Sequence, residues 1–320
     1  MRPITENKGR LIIAEIETNT DLIHPAGKHV DWNESFYFNL YDKEKNICAF
    51  MRIGLKPNKV EKNMMCYFMM PDGSVLGTRD VGPGEDLELA VNGLRLEKVV
   101  PDKEWRMTYK GTMKRTLGDD IQRREVAFTL TYRAVNKVFD YRECAVGEKD
   151  IVSRVNPAEH TEQFGSIEGD LTIAGETIHL IGFGEKDHSW GIRDWVAPTM
   201  WIWLSCQFSD RLAFNITKLM VGTDVVDAGF IHMDGDNKPL VRTDVITEYA
   251  KEGGPKTLKL WLVEKDGKVH EVQADIIRTT KLPFGGALDK SVSVLHEALA
   301  RFRLRDEIGY GVAEYLIRET

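Results

Sequence analysis

The chain has 320 residues, of which 42% are hydrophobic and 29% charged, and a formal net charge of −7. At about 150 residues per domain this length suggests two domains or one large one, with ample chain to bury a core. The acid excess argues against a nucleic-acid partner, and no apolar run approaches the ~18 residues of a membrane span.

The N-terminus, MRPITENKGRLII, lacks the apolar centre of a secretory signal, so a cytoplasmic location is expected. Cys48, Cys66, Cys144 and Cys206 are scattered and form no C-x-x-C pair. They are expected to be free structural thiols rather than a zinc site or a disulfide frame.

Taken in chain order, the elements read as strands. Glu34–Leu40 is ESFYFNL, with aromatic or apolar side chains at alternate positions. Cys66–Met70, Asp86–Val91 and Val126–Tyr132 follow, then Leu171–Ile173, Thr177–Ile181, Met200–Leu204, Leu212–Leu219 and Leu258–Val263. All are rich in Val, Ile, Thr and aromatics. Pro71-Asp72-Gly73, Pro83-Gly84, Ala174-Gly175, Asp234-Gly235 and Asp266-Gly267 punctuate them as turns. Turns about every 10 residues fit a sandwich or barrel, not βαβ units. The charged stretch Gly147–Pro157 is the expected boundary between halves at 1–150 and 151–320.

Near the C-terminus the pattern is ambiguous. Leu288, Val292, Leu295, Leu299 and Phe302 follow a helical stripe. Val292, Val294, His296, Ala298, Ala300, Phe302 and Leu304 also alternate at period two, and periodicity alone does not separate the two.

Common catalytic motifs are missing from the sequence. Gly182-Phe-Gly184 follows an apolar strand, but Asp187 stands where a dinucleotide fingerprint needs its third glycine. There is no Walker A loop, no G-x-S-x-G elbow and no H-E-x-x-H.

Residues 182–204, GFGEKDHSWGIRDWVAPTMWIWL, are unusual. Trp190, Trp195, Trp201 and Trp203 cluster there beside Asp187, His188, Arg193 and Asp194. A loop after Thr177–Ile181 would present the ionisable groups, and Trp201 and Trp203 would share one face of the next strand. Aromatics beside a few polar groups make a ligand pocket. Turn-forming aspartates, an Arg193 ion pair and core tryptophans are the structural alternative.

Two further groups stand out. His160 and Glu162 would share a face if extended, and such a pair can ligate a metal, but no third ligand is evident and no metal is expected. Glu314, among Tyr310, Val312 and Leu316, is either paired with Arg301 or Arg303, or functional.

The dodecapeptide GEKDHSWGIRDW resembles the D-H-S-W-G-x-R-D-W signature of a bacterial branch related to the AttH-like and carotenoid 1,2-hydratase (hydroxyneurosporene synthase) group. HTEQFGSIEGDLTIAGETIHLIGFG, ESFYFNLYD and GYGVAEYL are similar to other parts of the same family, so the resemblance touches both halves. It implies a mostly β fold of two lipocalin-like (calycin) barrels, with a C-terminal hairpin of Val292–Leu304 and Gly309–Ile317.

The related hydratases and the tocopherol-cyclase-like proteins protonate carbon–carbon double bonds of isoprenoids without a cofactor. The resemblance therefore implies a cofactor-independent hydratase, lyase, isomerase or cyclase acting on an isoprenoid-, steroid- or polyketide-like molecule. Asp187 would be the proton donor, His188 or Asp194 would orient it, and Arg193 would hold Asp194 ionised. Trp190, Trp195, Trp201 and Trp203, with His160, Glu162 and Glu314, would bind the substrate. The other expectation is a barrel that shelters a small hydrophobic molecule without altering it. Neither a cofactor nor a nucleic acid is expected, and a homo-oligomer is compatible with both readings.

Overall fold

The computed structural model describes residues 20–144, 158–192, 198–221, 224–251, 253–285 and 292–319. Strands β1 (Trp32–Asp42), β2 (Ile47–Lys56), β3 (Glu61–Met69) and β4 (Val75–Pro83) open the fold as a meander. Two short strands, β5 (Ala90–Val91) and β6 (Leu94–Val100), precede β7 (Glu104–Leu117) and β8 (Asp120–Ala134). Then come β9 (Phe139–Asp140), β10 (Ala158–Ile173) and β11 (Glu176–Ile192).

The second unit is β12 (Met200–Ser209), β13 (Leu212–Val221), β14 (Asp224–Met233), β15 (Asp236–Tyr249), β16 (Pro255–Glu264), β17 (Val269–Gly285), β18 (Val292–Leu304) and β19 (Glu307–Glu319). It is an antiparallel barrel closed by pairing β12 with β19. The ambiguous C-terminal stretch is thus a hairpin, with Ala298, Ala300, Phe302 and Leu304 in the barrel core.

The first sheet runs β4-β3-β2-β1-β11-β10-β8-β7-β6-β5, and β4 also pairs with β7 over Val75–Gly77. That short contact closes a second ring of eight strands. The expected split at 150/151 does not follow the sheets. β10 and β11 pair with β8 and β1, so residues 158–192 belong to the first sheet and the second barrel begins at β12. The hairpin β10–β11 fills the gap between β1 and β8, which a mid-chain boundary would leave open.

Three apolar clusters follow from period-two alternation. Phe36, Phe38 and Leu40 point into the first ring with Trp105, Met107 and Leu130. Ile202 and Leu204 point into the second barrel. The outward positions, Tyr37 and Tyr41 of β1, Trp201 and Trp203 of β12, and Leu295 and Leu299 of β18, pack between the two units. Gly182 and Gly184 allow the close passage of β1: a Cβ on Gly184 would lie 1.9 Å from the Asn39 carbonyl oxygen. Among the described residues no helix is long and apolar enough to cross a membrane.

The first ring is filled. Lys186 on β11 points inward, fully buried, and pairs with the fully buried Asp21. Asp21 also accepts from the Asp102 amide (2.7 Å) and from Trp105 Nε1 (3.1 Å). The segment before β1 therefore plugs this barrel. Removing one member of a buried pair strands the other charge, at about 3–5 kcal/mol. Asp21→Ala should lose about that much stability in urea unfolding. The double variant Asp21→Asn/Lys186→Met, which has no charge and keeps an acceptor for Trp105, should recover most of it.

Candidate active site

The segment Lys186–Ile192 is not a loop. It continues β11, and every other side chain changes face. Glu185, Asp187 and Ser189 face the second barrel, whereas Lys186, His188 and Trp190 face the interior of the first. His188 is fully buried, stacks on Phe36 at 3.9 Å, and bonds the Thr20 carbonyl and Glu34 Oε1, each at 2.8 Å. Trp190 stacks on His24 at 3.9 Å. His24, Glu34 and His188 gather ligand atoms within 4.8 Å of one another, but these atoms already bond to each other. His188 and Trp190 thus stand with the plug, on the opposite face of the strand from Asp187. Arg193, Asp194 and Trp195 lie outside the described residues.

The outward face of β11 looks onto a cavity of about 270 Å³ between the two units. Two cross-strand rows meet there. On the first sheet, Tyr37 of β1, Asp187 of β11 and Glu162 of β10 are direct neighbours. On the second barrel, Glu297 of β18, Glu314 of β19 and Trp203 of β12 are direct neighbours. The rows are joined at both ends. Tyr37 Oη donates to Glu297 Oε1 at 2.5 Å, and Trp203 Nε1 donates to Glu162 Oε1 at 3.0 Å. Asp187 and Glu314, the middle members, lie opposite one another and both line the cavity. Tyr37 meets Trp203 edge-on at 5.7 Å.

This frame is rich in carboxyl groups and poor in donors. Glu162, Glu185 and Glu297 are fully buried. Burial, with Glu185 and Asp187 nearby, pushes Glu162 well above the usual carboxylate range. Burial raises Glu185 to about 8, against hydrogen bonds from Ser205 and from Asn215, whose Nδ2 lies 2.9 Å from Oε2. Burial also raises Glu297, although Tyr37 bonds it. Glu162 Oε2, Glu297 Oε2 and Asp187 Oδ1 have no hydrogen-bond partner among the described residues. A buried carboxyl with one oxygen left unpartnered favours its neutral form, in line with the raised values of Glu162 and Glu297. Glu314 lies opposite Glu297 in the hairpin register, whereas Arg301 pairs with Asp275 at 2.8 Å.

His160 sits at the edge of this group, 3.9 Å from Glu162 Oε1 and packed on Tyr141. Trp201 lines the cavity beside Trp203. Of the residues singled out in the sequence, the structure brings Asp187, Glu314, Trp201 and Trp203 to one cavity, with Glu162 beside Asp187 and His160 behind it. Tyr37, Glu185 and Glu297 complete the frame and were not foreseen. Their signal was present: Glu185 lies two positions before Asp187, Tyr37 lies between Phe36 and Phe38, and Glu297 lies between Leu295 and Leu299.

A carboxyl whose folded value is raised binds more protons folded than unfolded. Glu185 does so between about pH 4.5 and about 8. Stability should fall as pH rises through that window and level off above it. Glu185→Gln, which cannot ionise and still accepts from Asn215, should flatten the fall in urea midpoints. A slope unchanged in this variant would mean that Glu185 ionises at its ordinary value.

No curated protein matches the chain in sequence. Solved structures do match in shape. The crystal structure of CghA with Sch210972 has TM-score 0.60 at 11% identity, covering 93% of this chain and 94% of that one. The AttH protein assigned in Nitrosomonas europaea has TM-score 0.61 at 13% identity, covering 92% and 96%. Kievitone hydratase from Nectria haematococca has TM-score 0.56 at 15% identity, covering 88% of each chain. The fold is thus the paired lipocalin-like architecture of these proteins. A family match spans residues 17–319, and the chain belongs to the family described as a domain of unknown function, DUF7064.

Proposed function

We propose that the protein is a cofactor-independent acid–base enzyme of the lyase or isomerase type, working in the cavity between its two barrels. The observation that carries this reading is the frame of carboxyl groups around Asp187 and Glu314. A hydration, dehydration or double-bond shift needs one group that gives a proton and another that takes one. Carboxyl pairs in a water-poor site supply both forms near neutral pH, because neighbouring like charges keep one member protonated.

In this reading Asp187 gives its proton to a carbon–carbon double bond or to a departing hydroxyl. The buried pair Glu162–Glu185 returns a proton to it. Glu314, backed by Glu297, takes a proton from carbon or from an incoming water. Trp201, Trp203 and Tyr37 present aromatic rings to a developing carbocation, an attraction of about 0.5–2 kcal/mol per ring. Two solved relatives in shape lend support through their names: one is a hydratase acting on kievitone, the other was crystallised with Sch210972.

The test is turnover of amphipathic alkenes in deuterium oxide, with kievitone as the first candidate, followed by mass spectrometry. The wild type should place deuterium on carbon. Asp187→Asn, at a matched melting temperature, should be about 10²- to 10⁴-fold slower with binding retained. Full turnover by this variant would remove Asp187 from the chemistry. Tight binding of such molecules with no turnover by the wild type would make the protein a carrier.

A further inference from the structure

His188 belongs to the dense signature, yet the proposed reaction does not use it. Strand β11 turns it away from Asp187 and into the first ring. Its Nδ1 lies 2.8 Å from the Thr20 carbonyl oxygen, which only accepts, so Nδ1 carries the hydrogen. In the neutral ring Nε2 is then a bare lone pair, and it lies 2.8 Å from Glu34 Oε1. An acceptor faces an acceptor.

Glu34 Oε1 is crowded as well. His24 Nδ1 reaches it at 2.9 Å, and the His24 amide donates to Oε1 at 3.0 Å and to Oε2 at 2.9 Å. Three nitrogens thus converge on an oxygen that has two lone-pair sites. A cation placed between the two rings and the carboxylate resolves both features, because it takes a lone pair from each of the three groups.

The surroundings hold these groups in place. Glu34 and His188 come from the paired strands β1 and β11, where Glu34 stands opposite Trp190 and His188 opposite Phe36. Both imidazoles are pinned by stacking, His188 on Phe36 and His24 on Trp190, each at 3.9 Å. A carbonyl that accepts from the far ring nitrogen is the usual outer partner of a metal-binding histidine, and Thr20 supplies it. The three ligand atoms lie within 4.8 Å of one another. Ligands of a tetrahedral zinc stand about 3.3–3.5 Å apart, so Glu34 need withdraw by only roughly half an ångström. Glu34 and His188 are buried, whereas the His24 side chain is 30% exposed and leaves an entry for an ion.

We infer that His24 Nδ1, Glu34 and His188 Nε2 form a binding site for a first-row divalent metal ion, with Zn²⁺ the best fit. Two imidazoles and a carboxylate suit zinc, whereas Mg²⁺ and Ca²⁺ prefer oxygen ligands throughout. The ion is structural. It ties the segment before β1 to β1 and β11 and so fastens the plug of the first ring, on the opposite face of β11 from Asp187. The inference does not depend on the reaction proposed for the seam.

The test uses the full chain without a histidine tag, stripped with EDTA and dialysed free of it. Zn²⁺ should bind one to one in calorimetry, with a Kd of about 1 µM or below. It should raise the melting temperature by several degrees, because it binds the folded state. Mg²⁺ at the same concentration should do neither. Outer partners alone are worth about 10- to 100-fold in metal affinity, so loss of a ligand should cost about 100-fold or more. His24→Phe, which keeps a ring on Trp190, should show that loss, and so should Glu34→Gln. His179→Ala removes an exposed histidine that pairs with Asp170, and should bind Zn²⁺ as the wild type does. Failure of the wild type to bind Zn²⁺ would overturn the inference and leave a proton on His188 Nε2 in the ion's place. Equal binding by His24→Phe, or its loss in His179→Ala, would overturn it too.

Discussion

Two hydrogen bonds between the barrels, Tyr37 to Glu297 and Trp203 to Glu162, set the rest of the site. Each joins the end of a three-residue row on one unit to the end of a row on the other. With both ends fixed, the middle residues Asp187 and Glu314 must face each other. Each bond also has one charged or chargeable partner in a place that water does not reach. A bond of that kind is worth about 1.5–3 kcal/mol, and losing one partner strands a buried oxygen. The frame is thus a rigid support for a cavity, and it holds protons because it offers more acceptors than donors.

The location of the cavity follows from what fills the barrels. A single lipocalin-like barrel has room for a ligand inside. Here the first ring is occupied by Trp105, the Lys186–Asp21 pair and the His188–Glu34–His24 group, and the second by its own aliphatic and aromatic core. What remains is the seam, where the outward faces of β1, β11, β12, β18 and β19 meet. Strand β11 serves both sides. Its even-numbered residues bind the plug and its odd-numbered residues bind the frame, so one short sequence supports the fold and the site together.

The alternating runs made the β architecture readable from the sequence, and Gly182 and Gly184 are accounted for by close strand passage rather than by phosphate binding. The dense signature drew attention to Asp187, Trp201 and Trp203. Its error was to treat Asp187-His188 as neighbours in a loop. As a strand, the pair is divided between two compartments, and only long-range pairing with β1 and β10 reveals that. Glu297 and Glu314 lie 17 positions apart and meet as a cross-strand pair, which required the hairpin reading to be settled. The sheet boundary was missed for a similar reason. Nothing local in residues 158–192 says that they return to the first sheet.

The burial that favours protons in this frame also makes it sensitive to pH. Burial raises Glu162, Glu185 and Glu297, so protonated forms persist where exposed carboxyls are ionised. Raising the pH ionises them where water is scarce, and Glu162 and Glu185, which face one another's charge, then repel. On the proposed reading the reaction draws on these protons, so activity should decline on the alkaline side. The seam between the barrels should lose stability over the same range, because one set of protons serves both.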